Sequence, residues 1–212
     1  MGAALAAQLV QAGAEVVLVG RRAPHLARVQ AALALPARAE VAAVDVEDWP
    51  AVSQLAHRLH QQAGAFDGIV HAAGHFASGP LLEMDPATVS AILNTAVLGA
   101  HWVAKAFLPA MRARRAGTLV LVAAAAVAPG HGADPAGTSV PYLAAKSGVA
   151  VLGRALAAEM AGTGVRIAVV FPPTFEEVAR PGILSASEVA APIVAMLTSA
   201  AASASELVIA PG

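Results

Sequence analysis

PYLAAKSG, at residues 141–148, places a tyrosine and a lysine four residues apart. At that spacing Tyr142 and Lys146 lie on one face of a helix, one turn apart. A lysine ammonium beside a phenol stabilises the phenolate, so we expect Lys146 to lower the pKa of Tyr142 from its usual ~10. Such a phenol passes a proton to or from a carbonyl or alcohol oxygen. The motif alone is weak, because ordinary amphipathic helices also carry half-buried tyrosines and lysines with extended stems.

The composition is that of a single globular domain over residues 1–212. The chain has 58% hydrophobic and 13% charged residues and a net charge of −1, which allows one sizeable core. Lys and Arg form no run, so no nucleic-acid partner is expected. The absence of cysteine excludes disulfides and favours a reducing cytoplasm. Apolar runs such as residues 118–129 are too short to span a bilayer, and no basic residue precedes Arg21, so neither a membrane nor a signal peptide is expected.

Strands and helices alternate along the chain. Apolar periodicity and glycine or proline punctuation predict helices over residues 2–12, 24–34, 49–62, 87–114, 142–160 and 185–200. Ser185 and Glu188 form a capping-box pattern at the start of the last helix. Short apolar runs predict strands over residues 15–20, 41–46, 67–73, 118–123, 165–171 and 206–210. This alternation predicts an α/β fold with a parallel sheet covered by helices on both faces.

Six fragments, in their order and spacing, resemble the classical short-chain dehydrogenase/reductase family over nearly the whole chain. They are the strand at residues 16–22 with its basic end, Asp45-Val46, HAAG at 71–74, LPAM at 108–111, Tyr142 with Lys146, and Pro172-Pro173. The resemblance implies a Rossmann-like doubly wound parallel sheet. It also implies hydride transfer between a nicotinamide cofactor and a small-molecule carbonyl or alcohol substrate.

The resemblance implies a role for each matching residue. Tyr142 would be the proton donor or acceptor, and Lys146 would bind the nicotinamide ribose and activate the tyrosine. Gly2 would be the last glycine of the family's phosphate-binding turn, where a helix N-terminus meets the pyrophosphate. The other implied cofactor-binding positions are Arg21, Arg22, Asp45, Val46, Ala72, Ala73, Gly74, Pro172 and Pro173.

The basic pair at the end of the first strand favours NADP over NAD. An acidic residue there would bind the ribose hydroxyls, but Gly20 occupies that site and Arg21-Arg22 follow it. The planar guanidinium group of arginine can donate paired hydrogen bonds to a 2′-phosphate. NAD remains the alternative if the pair is only a solvated surface turn.

The chain departs from the family at its start. It begins at Met1-Gly2, without the family's first strand and the earlier glycines of the phosphate-binding turn. That strand would lie between the strands containing Val16 and Ile69, so we expect their facing edges to be left unpaired or to meet abnormally. A misplaced start or a fragment would explain this, and the sequence does not choose between them.

The chain also departs from the family around the tyrosine. Ala124 stands where the family has its catalytic serine, and Ala96 stands at its structural asparagine. Asn94 lies two residues earlier on the helix, so we expect it on a different face. Alanine cannot hydrogen-bond a substrate oxygen, and the loss of one positioned donor costs a factor of ~10² to 10³. Ser139 or His131, in the following loop, are the first candidates to replace that donor.

The sequence therefore predicts an NAD(P)-dependent oxidoreductase that prefers NADP. Two alternatives stay open: a catalytically impaired relative that acts as a binding or oligomer-partner protein, and a truncated fragment. The histidines lack metal-ligand spacing, so no metal is expected, and His71 is interpreted as closing a strand beneath the cofactor site. The family's habits imply a homodimer or homotetramer formed through the helices at 87–114 and 142–160. Substrate and reaction direction are not readable from the sequence.

Overall fold

Strands and helices alternate from end to end of the computed structural model, which describes residues 1–130, 139–178, 180–181, 183–198 and 206–208. The helices are α1 (Gly2–Gln11), α2 (Ala23–Ala31), α3 (Trp49–Ala63), α4 (Pro86–Leu93), α5 (Gly99–Arg114), α6 (Val140–Glu159) and α7 (Ala186–Thr198). The strands are β1 (Val16–Gly20), β2 (Ala39–Ala43), β3 (Gly68–His71), β4 (Gly117–Val122), β5 (Val165–Phe171), β6 (Phe175–Glu176), β7 (Leu184–Ser185) and β8 (Glu206–Val208).

Local side-chain chemistry starts several of these helices. Asp48 and Asp85 cap α3 and α4, each accepting a hydrogen bond from a backbone N–H in the first turn, and a proline follows in that turn. The capping box before α7 is confirmed. The Glu188 backbone N–H donates to the Ser185 hydroxyl over 3.1 Å, and the Ser185 backbone N–H donates to the Glu188 carboxylate over 2.7 Å.

The parallel strands form two separate ladders instead of one continuous sheet. In the described residues β1 pairs with β2, and a second sheet runs β3-β4-β5-β8, all parallel. No ladder joins β1 to β3, as expected from the resemblance. Val19 of β1 is 43% exposed, whereas β4 and β5 are almost entirely buried. The predicted α/β class with a parallel sheet is confirmed, and the sheet is interrupted beside β3.

Helices cover both faces of the larger sheet. Leu119 and Leu121 of β4 point to one face, where they join a buried cluster with residues of α4, α5 and α6. Val120 points to the other face and packs with Val189 and Ile193 of α7, and α1 lies beside α7. Alternate residues of one strand are therefore buried on opposite faces, which explains the continuous apolar run in its sequence.

Several predicted elements differ from those observed, and two of the differences involve candidate site residues. The helix predicted over 87–114 contains a π-helical turn, Asn94–Leu98, between α4 and α5. The whole segment, Pro86–Arg114, is long and apolar enough to cross a bilayer, judged by length and composition alone. The core helix of a globular protein also meets these two criteria. In its most apolar 18-residue stretch, 39% is buried inside the protein. The strand predicted over 41–46 ends at Ala43, so Asp45 and Val46 lie in the loop after β2. Propensity places element boundaries poorly because tertiary packing decides them.

Candidate active site

Lys146 lies at the carboxyl end of the central strands. Its ammonium donates a hydrogen bond to the backbone carbonyl oxygen of Val122, the last residue of β4, over 2.8 Å. A Cβ added to Gly74, just beyond the end of β3, would stand 3.6 Å from the Lys146 Nζ. In open parallel sheets, ligands bind in the crevice at this edge. The sequence pair Tyr142 and Lys146 is therefore held where such a fold binds its ligand.

Tyr142 lies beside Lys146. Among the described residues, no hydrogen bond joins the phenol oxygen of Tyr142 to the Lys146 ammonium. The Lys146 Nζ is 5.7 Å from the centre of the Tyr142 ring, on its face. Phe76 packs edge-on against the same ring, with 5.0 Å between centroids. Phe76 is 55% exposed, so it borders the site on the solvent side. Sequence reasoning missed Phe76, because nothing local marks it as a partner of Tyr142.

The expected lowering of the tyrosine pKa is wrong for this structure. Burial raises the pKa of Tyr142, because the charged phenolate is poorly solvated there. Burial also lowers the pKa of Lys146, to about 8, for the same reason. The Lys146 ammonium donates its hydrogen bond to the backbone carbonyl of Val122.

The candidate adenosine-binding residues come together in part. Arg21 and Asp45 form an ion pair with 3.9 Å between Nη1 and Oδ2, and both side chains are well exposed. Arg22 is exposed at the start of α2. Val46 instead packs on α5, since a Cβ at Gly99 would stand 2.8 Å from its Cγ2.

The phosphate and nicotinamide candidates lie at the start of α1 and just beyond β3 and β5. Gly2 is the first residue of α1, whose start has no side-chain cap, and a Cβ there would meet nothing within 4 Å. Ala72 and Ala73 follow β3 and are half-buried. Pro172 is buried, and its carbonyl accepts a hydrogen bond from the Ala125 backbone N–H over 2.8 Å. Pro173, next to it, is half-buried.

The positions that lack family side chains are buried at the same edge. Ala124, just beyond β4, is 8% exposed, and Ala96, in the π-helical turn, is 2% exposed. Asn94 begins that turn. Ser139 caps α6 through its backbone and is 2% exposed, but its Oγ has no hydrogen-bond partner among the residues that the structure describes. His131 lies outside the described residues.

His71 is a buried group whose importance the sequence did not indicate. It ends β3, is 4% exposed, and its Nε2 makes no hydrogen bond. Burial, together with the nearby positive charge of Lys146, lowers the pKa of His71 to about 4. The histidine is therefore neutral near pH 7.

A separate groove lies on another surface, between α5 and α6. It encloses about 720 Å³ and is lined by Trp102, Leu108, Leu152 and Leu156, with charged residues such as Arg112 and Glu159 among them. Across the described residues no group of three His, Cys, Asp or Glu side chains lies together as a metal site.

A parallel sheet with a Tyr-x-x-x-Lys helix at its carboxyl edge defines a Rossmann-like, dinucleotide-binding class of protein. The chain belongs to the short-chain dehydrogenase family, whose model matches residues 1–182.

Relatives and solved structures agree with this assignment. The chain is 30% identical to a 3-dehydrosphinganine reductase, TSC10B, of Arabidopsis thaliana, covering 82% of this chain and 51% of that protein. It is 29% identical to an uncharacterized oxidoreductase of Staphylococcus saprophyticus, covering 81% of this chain and 72% of that protein. The chain thus spans about half the length of the plant reductase.

Among solved structures, a metagenomic short-chain oxidoreductase in complex with NADP matches with a TM-score of 0.84. It is 28% identical, and the match covers 100% of this chain and 92% of that one. A short-chain dehydrogenase from Streptomyces avermitilis matches with a TM-score of 0.83 at 24% identity, covering 98% of this chain and 83% of that one, and it supports the fold alone.

Proposed function

We propose that this protein is an NADP-dependent oxidoreductase that transfers a hydride between the nicotinamide and a small carbonyl or alcohol compound. The observation that carries the proposal is the placement of Lys146, whose buried ammonium bonds the carbonyl of Val122 at the carboxyl edge of the sheet. Tyr142 lies one helical turn away on the same edge. Oxidoreductase relatives and the NADP complex of a structural neighbour support the same class.

The chemistry divides between the nucleotide and two side chains. When bound, the nicotinamide supplies or accepts the hydride. Tyr142 gives its proton to the oxygen of a carbonyl being reduced, or takes it back from an alcohol being oxidised. Because burial raises the pKa of Tyr142, the phenol is protonated before reaction, which suits reduction. Lys146 has three N–H donors and uses one on Val122, so two remain for other acceptors, including a ribose hydroxyl.

The preference for NADP is supported by charge at the other end of the site. Arg21 and Arg22 are exposed at the end of β1, and Gly20 leaves no carboxylate there to compete for ribose hydroxyls. Arg21 is paired with Asp45 only at 3.9 Å, so its guanidinium can turn to a phosphate at little cost.

The test is nucleotide binding followed by turnover. NADPH and NADH are titrated by fluorescence, and NADPH oxidation is followed with 4-nitrobenzaldehyde as the carbonyl probe. We expect tighter binding of NADPH, and a loss of turnover by ~10² or more in Tyr142→Phe with binding unchanged. If neither NADPH nor NADH binds, the proposal is overturned.

A second function is favoured by Ala124 and Ala96. Both replace polar family residues with methyl groups buried at the site, so a catalytically impaired binding or oligomer-partner protein fits them. This alternative predicts NADPH binding with turnover that Tyr142→Phe leaves unchanged. The same titration and assay therefore separate the two functions.

The proposal extends to the oligomeric state of the protein and to its cellular compartment. The apolar groove between α5 and α6 is assigned to a second copy of the chain, because it lies on the two helices through which the family forms dimers and tetramers. Light scattering after size-exclusion chromatography should give a dimer or tetramer, and Leu152→Glu should give a monomer; a monomeric wild type would contradict the assembly. A cytoplasmic location goes with this proposal.

A further inference from the structure

His71 is a buried imidazole with an unused ring nitrogen. Its Nε2 is shielded from solvent and has no hydrogen-bond partner in the structure. An unsatisfied buried polar atom costs free energy, so such atoms in native proteins need a physical explanation. A partner for Nε2 must come from the groups that surround the imidazole in the fold.

The fold directs His71 toward the face of the sheet that carries Lys146. His71 ends β3 opposite Leu121 of β4, one residue before Val122, which accepts the Lys146 hydrogen bond. A Cβ at Gly99 would stand 3.1 Å from the His71 Cε1, which places the ring against α5. The helices α5 and α6 cover the same face of the sheet. The imidazole and the ammonium therefore share one buried space at the end of two adjacent strands.

Chemistry makes the two groups complementary. The ring is neutral near pH 7, since burial and Lys146 lower the pKa of His71 to about 4. A neutral imidazole has one nitrogen that accepts a hydrogen bond. The backbone carbonyls of Thr95 and Ala96 lie near the ring and favour an N–H on the nitrogen that faces them. The Nε2 has no hydrogen-bond partner among the described residues. Lys146 has N–H donors left after bonding Val122.

No other described titratable group on the surrounding segments competes for this pairing. Glu47 accepts a hydrogen bond from the Thr95 hydroxyl. Arg166 lies at the opposite end of β5, where it donates to Thr118 and to the Met196 carbonyl. The remaining titratable side chains on α5 and α6 are Tyr142, His101, Lys105, Arg112, Arg114, Arg154 and Glu159. His75 lies half-buried in the loop after Gly74.

We propose that His71 is a positioning residue for Lys146, its Nε2 accepting a hydrogen bond from the lysine ammonium through one bridging water molecule. This contact holds the ammonium at the carboxyl edge of the sheet and stabilises its charged form. Lys146 is thereby anchored from two strands, by Val122 on β4 and by His71 on β3. The inference rests on the proposed function and deepens it, because Lys146 is the group proposed to bind the nicotinamide ribose.

The test follows the lysine directly and needs neither nucleotide nor substrate. Lys105 and Lys146 are the two lysines of the chain, so ¹³C-lysine labelling yields two Cε resonances, and Lys105 on the exposed surface serves as an internal control. A pH titration gives the midpoint of each. In His71→Leu we expect the Lys146 midpoint to fall by roughly one pH unit, because the ammonium loses an acceptor. In His71→Asn the amide oxygen restores an acceptor and the midpoint returns toward the wild-type value.

A second measurement keeps the inference testable if His71→Leu fails to fold. In the wild type, the ¹⁵N shift of the His71 Nε2 should change in step with the Lys146 titration. An unmoved Lys146 midpoint in His71→Leu, or a His71 Nε2 shift that ignores that titration, would overturn the inference. Either result would leave the proposed function standing, since that function is judged by NADPH binding and by Tyr142→Phe.

Discussion

The ammonium of Lys146 donates a hydrogen bond over 2.8 Å to the backbone carbonyl of Val122, and both residues are buried. Val122 ends β4, so this bond ties α6 to the carboxyl edge of the sheet. The lysine is thus held by the sheet, independently of the phenol of Tyr142, whose ring it flanks at 5.7 Å. Burial of this ammonium away from water affects both the stability of the fold and the chemistry of the site.

Stability should depend on the titration of Lys146. Burial lowers the pKa of Lys146 from 10.5 to about 8, so between those values the unfolded chain holds a proton that the folded chain has released. The cost of burying the charge is therefore greatest below pH 8 and fades as the pH rises toward 10.5. We expect Lys146→Met to be more stable than the wild type at pH 7 by on the order of 1 kcal/mol, with a smaller difference at pH 10.

Urea unfolding at the two pH values measures this, with exposed Lys105→Met as the matched control. An equal difference between variant and wild type at pH 7 and pH 10 would contradict the argument.

Ala124 should be a site where activity can be gained. Its Cβ sits at the end of β4, 8% exposed, where the family carries a hydroxyl. We expect Ala124→Ser to raise kcat by ~10-fold or more, since a single positioned donor is worth ~10² to 10³ where it has been removed. Kinetics with NADPH and 4-nitrobenzaldehyde measure the gain, and Ala123→Ser, at the neighbouring buried position, is the control.

The same assay decides whether Ser139 already supplies that donor. If its unpartnered Oγ does so, Ser139→Ala lowers kcat and Ala124→Ser adds little. If Ala124→Ser raises kcat strongly and Ser139→Ala leaves kcat unchanged, the missing hydrogen-bond donor is explained by Ala124 alone.

Arg21 should discriminate between the two nicotinamide nucleotides. Its guanidinium is exposed, and its 3.9 Å pairing with Asp45 is weak. We expect Arg21→Ala to raise the Kd for NADPH about 10-fold while leaving the Kd for NADH almost unchanged, because only NADPH carries the 2′-phosphate. Fluorescence titrations measure both constants. Arg28→Ala, on the exposed side of α2, is the control, and equal weakening of both nucleotides would refute the assignment.

The interrupted sheet should show in hydrogen exchange. The β1–β2 pair has no ladder to β3 in the described residues, and no residue of β1 is fully buried, whereas β4 and β5 are central and buried. Amides of β1 and β2 should therefore exchange through smaller local openings than those of β4 and β5. Exchange monitored by mass spectrometry checks this order. Equal protection of both ladders would mean that they unfold as one unit.

Several features followed from short-range patterns in the sequence. The alternation of apolar strands and amphipathic helices predicted the parallel α/β fold, and Ser185 with Glu188 predicted the capping box. The spacing of Tyr142 and Lys146 placed them on one helix face. These features depend on side-chain period and on contacts within a few residues, which the sequence displays directly.

Other features were decided only by the tertiary structure. The sign of the Tyr142 pKa shift depends on how completely the side chain is buried, and burial involves residues far away in the chain. The contact with Phe76 and the burial of His71 beside Lys146 likewise arise from packing. Burial and desolvation depend on what surrounds a group in space. The sequence alone therefore determined that Tyr142 and Lys146 share one helix face, and the packing of the fold around them determined the direction of their pKa shifts.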